Sequence, residues 1–202
     1  MGLYAKYILP RIIDFVMSND DTAKERAKVI PRASGNVLEV AVGSALNLPF
    51  YEPSVSRLFA VDPSAELLRM ARSRRRSTTF PVEFLHRSAE TLPFGDASMD
   101  TVVVTWGLCS IAEPLDALRE MRRVLKPGGI LLFVEHGRSR DVSIERWQNR
   151  VNPIWRVVAG GCNLNRPIDE LVREAGFQID ELETKYLPGP RIMTFTYRGA
   201  AT

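Results

Sequence analysis
The stretch Asn36–Asn47, NVLEVAVGSALN, constrains this chain more than any other. An apolar run broken only by Glu39 ends in the small residues Ala41, Gly43, Ser44 and Ala45, with Asn47 closing the turn. In an open α/β sheet, a strand delivers such a turn to the carboxyl edge. Small side chains there let backbone N–H groups approach a nucleotide-type ligand. Arg57–Asp62 reads as the next strand and places Asp62 about 20 residues past Gly43, where a carboxylate can accept both hydroxyls of a ribose diol. Glu39 is costly to bury unpaired, which points to a role beside a ligand ammonium group. Alanine at 41 and 45 is expected to resist the positive φ that glycine permits.

The rest of the chain alternates strand and helix patterns, the mark of an α/β fold. In residues 2–31, Ile8, Ile12, Phe15 and Val16 share a helical face, Pro10 should kink the segment, and Asp20-Asp21-Thr22 should cap a second helix. The pair reads as packing helices, as a lid with Tyr4 and Tyr7 turned inwards, or as a membrane-surface contact through residues 2–17. Pro63-Ser64 opens a helix with Leu67, Met70, Ala71 and Arg74 on one stripe. Its basic end, Arg72–Arg76, suits a helix C-terminus, and with no interleaved aromatics it does not argue for nucleic acid. Phe80–Leu85 reads as an edge strand because of Pro81. The β-branched run Asp100–Thr105 reads as a central strand. A helix from Pro114 is stopped by Lys126-Pro127-Gly128-Gly129, and Ile130–Val134 form a fifth strand. Residues 137–165 are rich in aromatics and should fold over the sheet edge. Pro167 opens a helix ended by Gly176, and strands over 177–186 and 191–198 form a closing hairpin.

A single domain of 202 residues is expected, with net charge +3 and a pI near 9.0, too weakly basic to indicate nucleic acid. Two cysteines, Cys109 and Cys162, argue against a disulfide framework, and no His/Cys spacing matches a metal site, so none is expected. No apolar run approaches a membrane span. Lys6, Pro10, Arg11 and Asp14 break any signal-peptide pattern, so a cytoplasmic compartment is expected, with peripheral membrane contact as the variant reading.

The turn E-x-A-x-G-x-A resembles, in a small-residue version, the E/D-x-G-x-G-x-G turn of class I S-adenosylmethionine (SAM) methyltransferases. A nicotinamide or flavin site would want glycine where Leu46 stands. Ala89-Glu90-Thr91-Leu92-Pro93-Phe94 resembles the A-E-x-L-P-F phrase after the third strand of those enzymes, with Ser88 in place of an aspartate. LREMRRVLKPGGILLFVEH is similar to a signature of the UbiE-like group. Leu108-Cys109-Ser110, Glu135-His136, Trp147-Gln148, Pro153 with Trp155, Gly161–Leu164 and Gly189–Ile192 resemble the membrane-associated alkyl-thiol S-methyltransferases. Tyr4–Tyr7 with Pro10 and Asp14 is somewhat similar to bacterial phospholipid N-methyltransferases.

The resemblance implies a Rossmann-like fold with a seven-stranded mixed sheet of order 3-2-1-4-5-7-6, the last strand antiparallel. N-terminal helices (1–31) would be the lid, 36–135 the SAM-binding core, 136–165 a helical cover on the acceptor side and 166–202 the C-terminal helix and hairpin. It implies SAM held by Glu39, Ala41, Gly43, Ser44, Ala45, Asn47, Asp62, Pro63, Ser88, Ala89, Glu90, Thr105 and Trp106. The acceptor, a small apolar thiol or a lipid amine, would meet Tyr4, Tyr7, Trp106, Cys109, His136, Trp147, Cys162 and Asn163. His136 is the candidate for assisting deprotonation. A non-catalytic SAM-binding module and a membrane-surface binding protein stay open as readings of another class.

Overall fold
A computed structural model describes residues 4–75 and 78–202; residues 1–3 and 76–77, the latter ending the basic run, lie outside the described residues. A π-helical turn, Tyr4–Ile8, runs into α1 (Leu9–Met17), so the kink expected at Pro10 is a change of winding at the first turn of α1. The remaining elements are α2 (Asp20–Val29), β1 (Gly35–Val40), β2 (Val55–Asp62), α3 (Ala65–Arg74), β3 (Val82–His86), β4 (Met99–Thr105), α4 (Pro114–Val124) and β5 (Leu125–His136). They continue with α5 (Val142–Val158), α6 (Ile168–Glu174), β6 (Ile179–Tyr186), α7 (Arg191–Thr194) and β7 (Phe195–Ala201).

The strands form one seven-stranded sheet in the order β3-β2-β1-β4-β5-β7-β6. β7 runs antiparallel to both its neighbours, as in the pairing His136↔Thr196, and the other pairings are parallel. β1 and β4 lie at the centre, where the chain order reverses and an open α/β sheet leaves a crevice beyond its carboxyl ends. Strand alternation sorts the core. Val102, Val104, Leu131 and Phe133 pack with Leu118, Met121, Ile168 and Val172 on one face. Val103, Leu132 and Val134 pack with Val29, Leu68 and Ala71 on the other. Each fully buried aliphatic side chain of this kind contributes about 1.5–3 kcal/mol.

Several local expectations are corrected. Asn19, not Asp20-Asp21-Thr22, caps α2, because its side-chain oxygen accepts from the Asp21 and Thr22 N–H groups. In α3 the buried positions are Leu68 and Ala71 rather than Leu67. Lys126–Gly129 belongs to β5 instead of interrupting before it. Arg191–Thr194 is a helical turn, so the returning hairpin strand begins at Phe195. The alanines at 41 and 45 do adopt positive φ, +54° and +64°, a strain of roughly 1–3 kcal/mol each. Backbone bonds at the turn, Ala45 N to Val42 O at 2.9 Å and Val42 N to Val61 O at 3.0 Å, hold it there. Ala41 also dictates its neighbour: a Cβ on Gly107 would stand 2.6 Å from the Ala41 Cβ, so position 107 must be bare.

Candidate active site
The β1 turn is organised by Asp62. Its Oδ2 accepts from Gly43 N and its Oδ1 from Ser64 N, both at 2.8 Å, so one carboxylate joins the turn to the N-cap residue of α3. Burial raises the Asp62 pKa against the pull of these two N–H groups. Each oxygen keeps a second lone pair. A Cβ at Gly43 (φ +57°) would meet nothing, so the space above the turn is open. An adenosine-bearing ligand fits here: free acceptor capacity on Asp62 lies beside an unfilled approach over Gly43.

Glu39 is engaged from within the protein. Asn47 Nδ2 donates to Oε1 at 2.9 Å and the Tyr51 hydroxyl to Oε2 at 2.7 Å, and the residue is 1% exposed. Burial pushes its pKa up to about 7, opposed by the Tyr51 and Asn47 hydrogen bonds and by Arg26. Asn47 also donates to Thr105 Oγ1 at 3.0 Å and accepts from Arg26 Nε at 3.0 Å, while the Arg26 guanidinium lies over the Trp106 ring, 4.8 Å from its centre. Glu39 therefore fastens the β1 and β4 ends through Asn47 and Thr105.

A roof crosses the same turn. Asp14 of α1 accepts from Ser44 Oγ at 2.5 Å and pairs with Arg74 at 2.8 Å, and Arg74 also donates to the Ser44 carbonyl at 2.8 Å. Burial alone would raise Asp14, but Arg74 and Ser44 together hold its pKa below the usual range. After β3, Ala89 is buried. Ser88 donates to Glu90, which also accepts from Glu113 N at 3.3 Å. Pro63 is exposed and its carbonyl meets His86 Nε2 at 2.8 Å.

On the other side of β4, Glu135 at the end of β5 accepts from Gly107 N (2.7 Å), Leu108 N (2.9 Å) and Cys109 N (3.4 Å). Burial pushes its pKa up to about 7 against these three donors. This carboxylate turns the chain after Trp106 (φ +49°) and sets Cys109. Asn163 then brings the far loop to it: Asn163 N and Nδ2 both donate to the Cys109 carbonyl, at 2.8 and 3.0 Å. Asn152 supports that link by donating to Asn163 Oδ1 (3.3 Å) and accepting from Leu164 N (2.8 Å). Cys109, His136 and Cys162 consequently converge, their ligand-type atoms all within 4.8 Å of one another. Cys162 Sγ faces His136 Nε2 at 3.1 Å and the Trp155 indole N–H at 3.4 Å. The Cys109 neighbour and burial push the Cys162 thiol well up, while Cys162 and Glu135 outweigh burial and raise His136. Local spacing does not foresee this set, because the turn after β4, the end of β5 and the loop after α5 supply one residue each.

Other acceptor-side residues fall elsewhere. Tyr4 and Tyr7 are exposed rather than inward, and the Tyr4 hydroxyl donates to the Val158 carbonyl at 3.0 Å. Trp147 is 55% exposed because α5 buries the adjacent Gln148, which bonds Ser139 N, Gly137 O and Ile192 O. Asn163 is buried and spent on the scaffold. Asp14, Arg26, Tyr51 and Glu135, which the sequence does not single out, bond to Ser44, Asn47, Glu39 and Gly107 respectively. Only Glu135, an acid ending an apolar strand, carried a signal comparable to Glu39.

A methyltransferase-domain family model matches residues 38–133. Thiol S-methyltransferase TMT1B of Rattus norvegicus is 33% identical over 167 residues, 78% of this chain and 68% of the relative. A demethylmenaquinone methyltransferase of Clavibacter sepedonicus is 37% identical over 107 residues, 53% of this chain and 43% of the relative. A SAM-dependent methyltransferase structure from Thermotoga maritima superposes with a TM-score of 0.69 at 20% identity, covering 98% of both chains, a likeness of fold alone. With that relationship, the strand order and the Asp62 turn all pointing the same way, the chain belongs to the class I SAM-dependent methyltransferases.

Proposed function
We propose that this methyltransferase acts on a small apolar thiol. The observation that carries the reading is the placement of Cys109, His136 and Cys162 at the carboxyl edge, across β4 from the Asp62 turn. The named thiol S-methyltransferase relatives support it. SAM supplies a methyl group already activated by its sulfonium charge, so the protein's work is alignment and preparation of the acceptor. Asp62 holds the ribose diol, and the backbone of 41–45 receives the methionine end. Glu39 acts on them through Asn47 and Thr105 as a positioning residue. Glu90 and Ala89 border the adenine, with Ser88 orienting Glu90. Trp106, kept in place by Arg26, walls off the reacting methyl from the floor.

A thiol reacts as its thiolate, with an unperturbed pKa near ~8.5, so the site must favour proton loss at the acceptor sulfur. His136 stands at that end against Cys162 and assists this step. The deciding experiment is a methyl-transfer screen with small alkyl thiols, phosphatidylethanolamine vesicles and quinols as competing acceptors. Turnover of thiols, reduced at least tenfold in His136→Ala, is expected. Turnover of quinols or lipid alone would refute the assignment.

The surface favours a second reading about where this reaction happens. Ile8, Ile12, Phe15 and Val16 of the N-terminal segment and Ile154, Val157 and Val158 of α5 are exposed, and Tyr4 joins the two segments. Arg11, Arg150 and Arg156 are exposed beside them. Among the described residues no helix is long and apolar enough to cross a membrane. We infer that this face rests on an anionic bilayer surface. Co-sedimentation with anionic vesicles, lost in Phe15→Asp with Val157→Asp, tests it. Equal sedimentation of the double variant would exclude it.

A further inference from the structure
Cys162 occupies the imidazole nitrogen through which His136 would act as a lone base, the two atoms being 3.1 Å apart. His136 Nδ1 has no hydrogen-bond partner among the described residues. The imidazole is thus committed to nothing except a sulfur, and a second sulfur, Cys109 Sγ, completes a cluster within 4.8 Å. Tetrahedral zinc with Zn–S of about 2.3 Å and Zn–N of about 2.0 Å needs sulfurs about 3.8 Å apart and sulfur–nitrogen pairs about 3.6 Å apart. The present separations, 3.1 Å for Cys162 Sγ to His136 Nε2 and within 4.8 Å for the whole set, bracket that spacing to about 1 Å.

The three ligands come from rigid neighbours: the Glu135-bonded turn after β4, the end of β5, and the loop stapled to Cys109 by Asn163. Three protein ligands leave a tetrahedral ion with one open position, the arrangement of catalytic rather than structural zinc. The charged neighbours are Glu135, below the Cys109 turn, and Arg166, whose guanidinium is engaged by the Leu108 and Ile111 carbonyls.

We propose that Cys109, His136 and Cys162 form a zinc site whose open fourth position takes the sulfur of the acceptor thiol. This deepens the thiol reading above and rests on it for the identity of the fourth ligand. Metal binding releases the two cysteine protons, and coordination of the acceptor R–SH releases a third to solvent, leaving a zinc-bound thiolate at neutral pH. That sulfur forms its bond to the methyl carbon as the methyl–sulfonium bond breaks. The thioether product carries no charge and is a weak ligand, so it leaves the metal.

The test uses the full chain, reduced and stripped of metal, titrated with Zn²⁺ against a chromophoric chelator. One zinc per chain is expected, with affinity falling at least tenfold in Cys162→Ser and in His136→Ala, whose folding is checked by circular dichroism. With Co²⁺ as the spectroscopic probe, sulfur-to-cobalt charge-transfer absorption should rise by about half when a small alkyl thiol binds, as two coordinated sulfurs become three. No zinc uptake, uptake unchanged in both variants, or a cobalt spectrum indifferent to the thiol overturns the proposal. Thiol methylation at full rate by metal-free protein overturns it too, while leaving the thiol reading intact. Zinc uptake and the cobalt response without methylation of any thiol uphold the site and remove that reading instead.

Discussion
Asp62→Asn isolates what the Asp62 turn contributes. In the wild type both oxygens face backbone donors, Gly43 N and Ser64 N, each at 2.8 Å. An asparagine amide offers one acceptor, so its NH₂ must oppose one of those N–H groups. A buried donor left unmatched costs about 1–3 kcal/mol, and the remaining bond loses its charge assistance. A net loss of about 2 kcal/mol corresponds to a fall in Tm of about 4–8 °C for a chain of this size. The ribose diol loses a charged acceptor worth about 1.5–3 kcal/mol, which is roughly 10–150-fold in Kd. Calorimetry with S-adenosylhomocysteine alongside thermal melts of the same preparations reads both quantities. Lower Tm with an unchanged Kd would refute the reasoning, since Asp62 would then be a fastener of two turns and nothing more. Asp62→Ala should lose affinity to a similar degree, because it removes the same acceptor.

Stability of the cofactor-free protein should depend on pH through Glu39 and Glu135, both held up to about 7 by burial. The folded state keeps their protons above the ordinary carboxylate value of 4.5, so their contribution is full below about pH 4.5 and is lost as pH rises towards 7. Tm should fall across that window and fall less in Glu135→Gln; a Tm that climbs through it in the wild type contradicts the assignment. Asp14→Asn frees α1 from Ser44 and Arg74. A loss of about 1 kcal/mol in roof closure should weaken S-adenosylhomocysteine about fivefold, mainly through faster dissociation in stopped flow, and unchanged dissociation would show that α1 is no roof. Trp147→Ala should leave the acceptor KM within about twofold, because the ring faces solvent with Arg150 over it. A tenfold rise would put Trp147 back in the acceptor site.

The alternation of short apolar runs with amphipathic stretches is a local property, and it marks the strands and helices without reference to any tertiary contact. The β-branched run at 101–104 could only be a strand covered on both faces, and Pro81 could only sit at an edge; β4 and β3 occupy those places. The small-residue turn and Asp62 were legible for the same reason, since their spacing is set by one strand–turn–strand unit. Exact ends were less so. Lys126–Gly129 lies within β5 as the irregularity between the Leu125 and Ile130 pairings with β4, which no propensity of Pro or Gly foretells.

What the folded chain alone decided was partnership. Nothing local told that Asn47 and Tyr51 would bond the Glu39 oxygens, or that Gln148 would claim the inward face of α5. Asp14 gave no local sign of meeting Ser44 and Arg74. The convergence of Cys109, His136 and Cys162 lay beyond any spacing rule, because two parallel strands and the loop after α5 bring residues distant in sequence to one carboxyl edge. Periodicity along the chain encodes which face of an element is buried. Which side chains meet across the edge is encoded only by strand order and register, and those are properties of the assembled sheet.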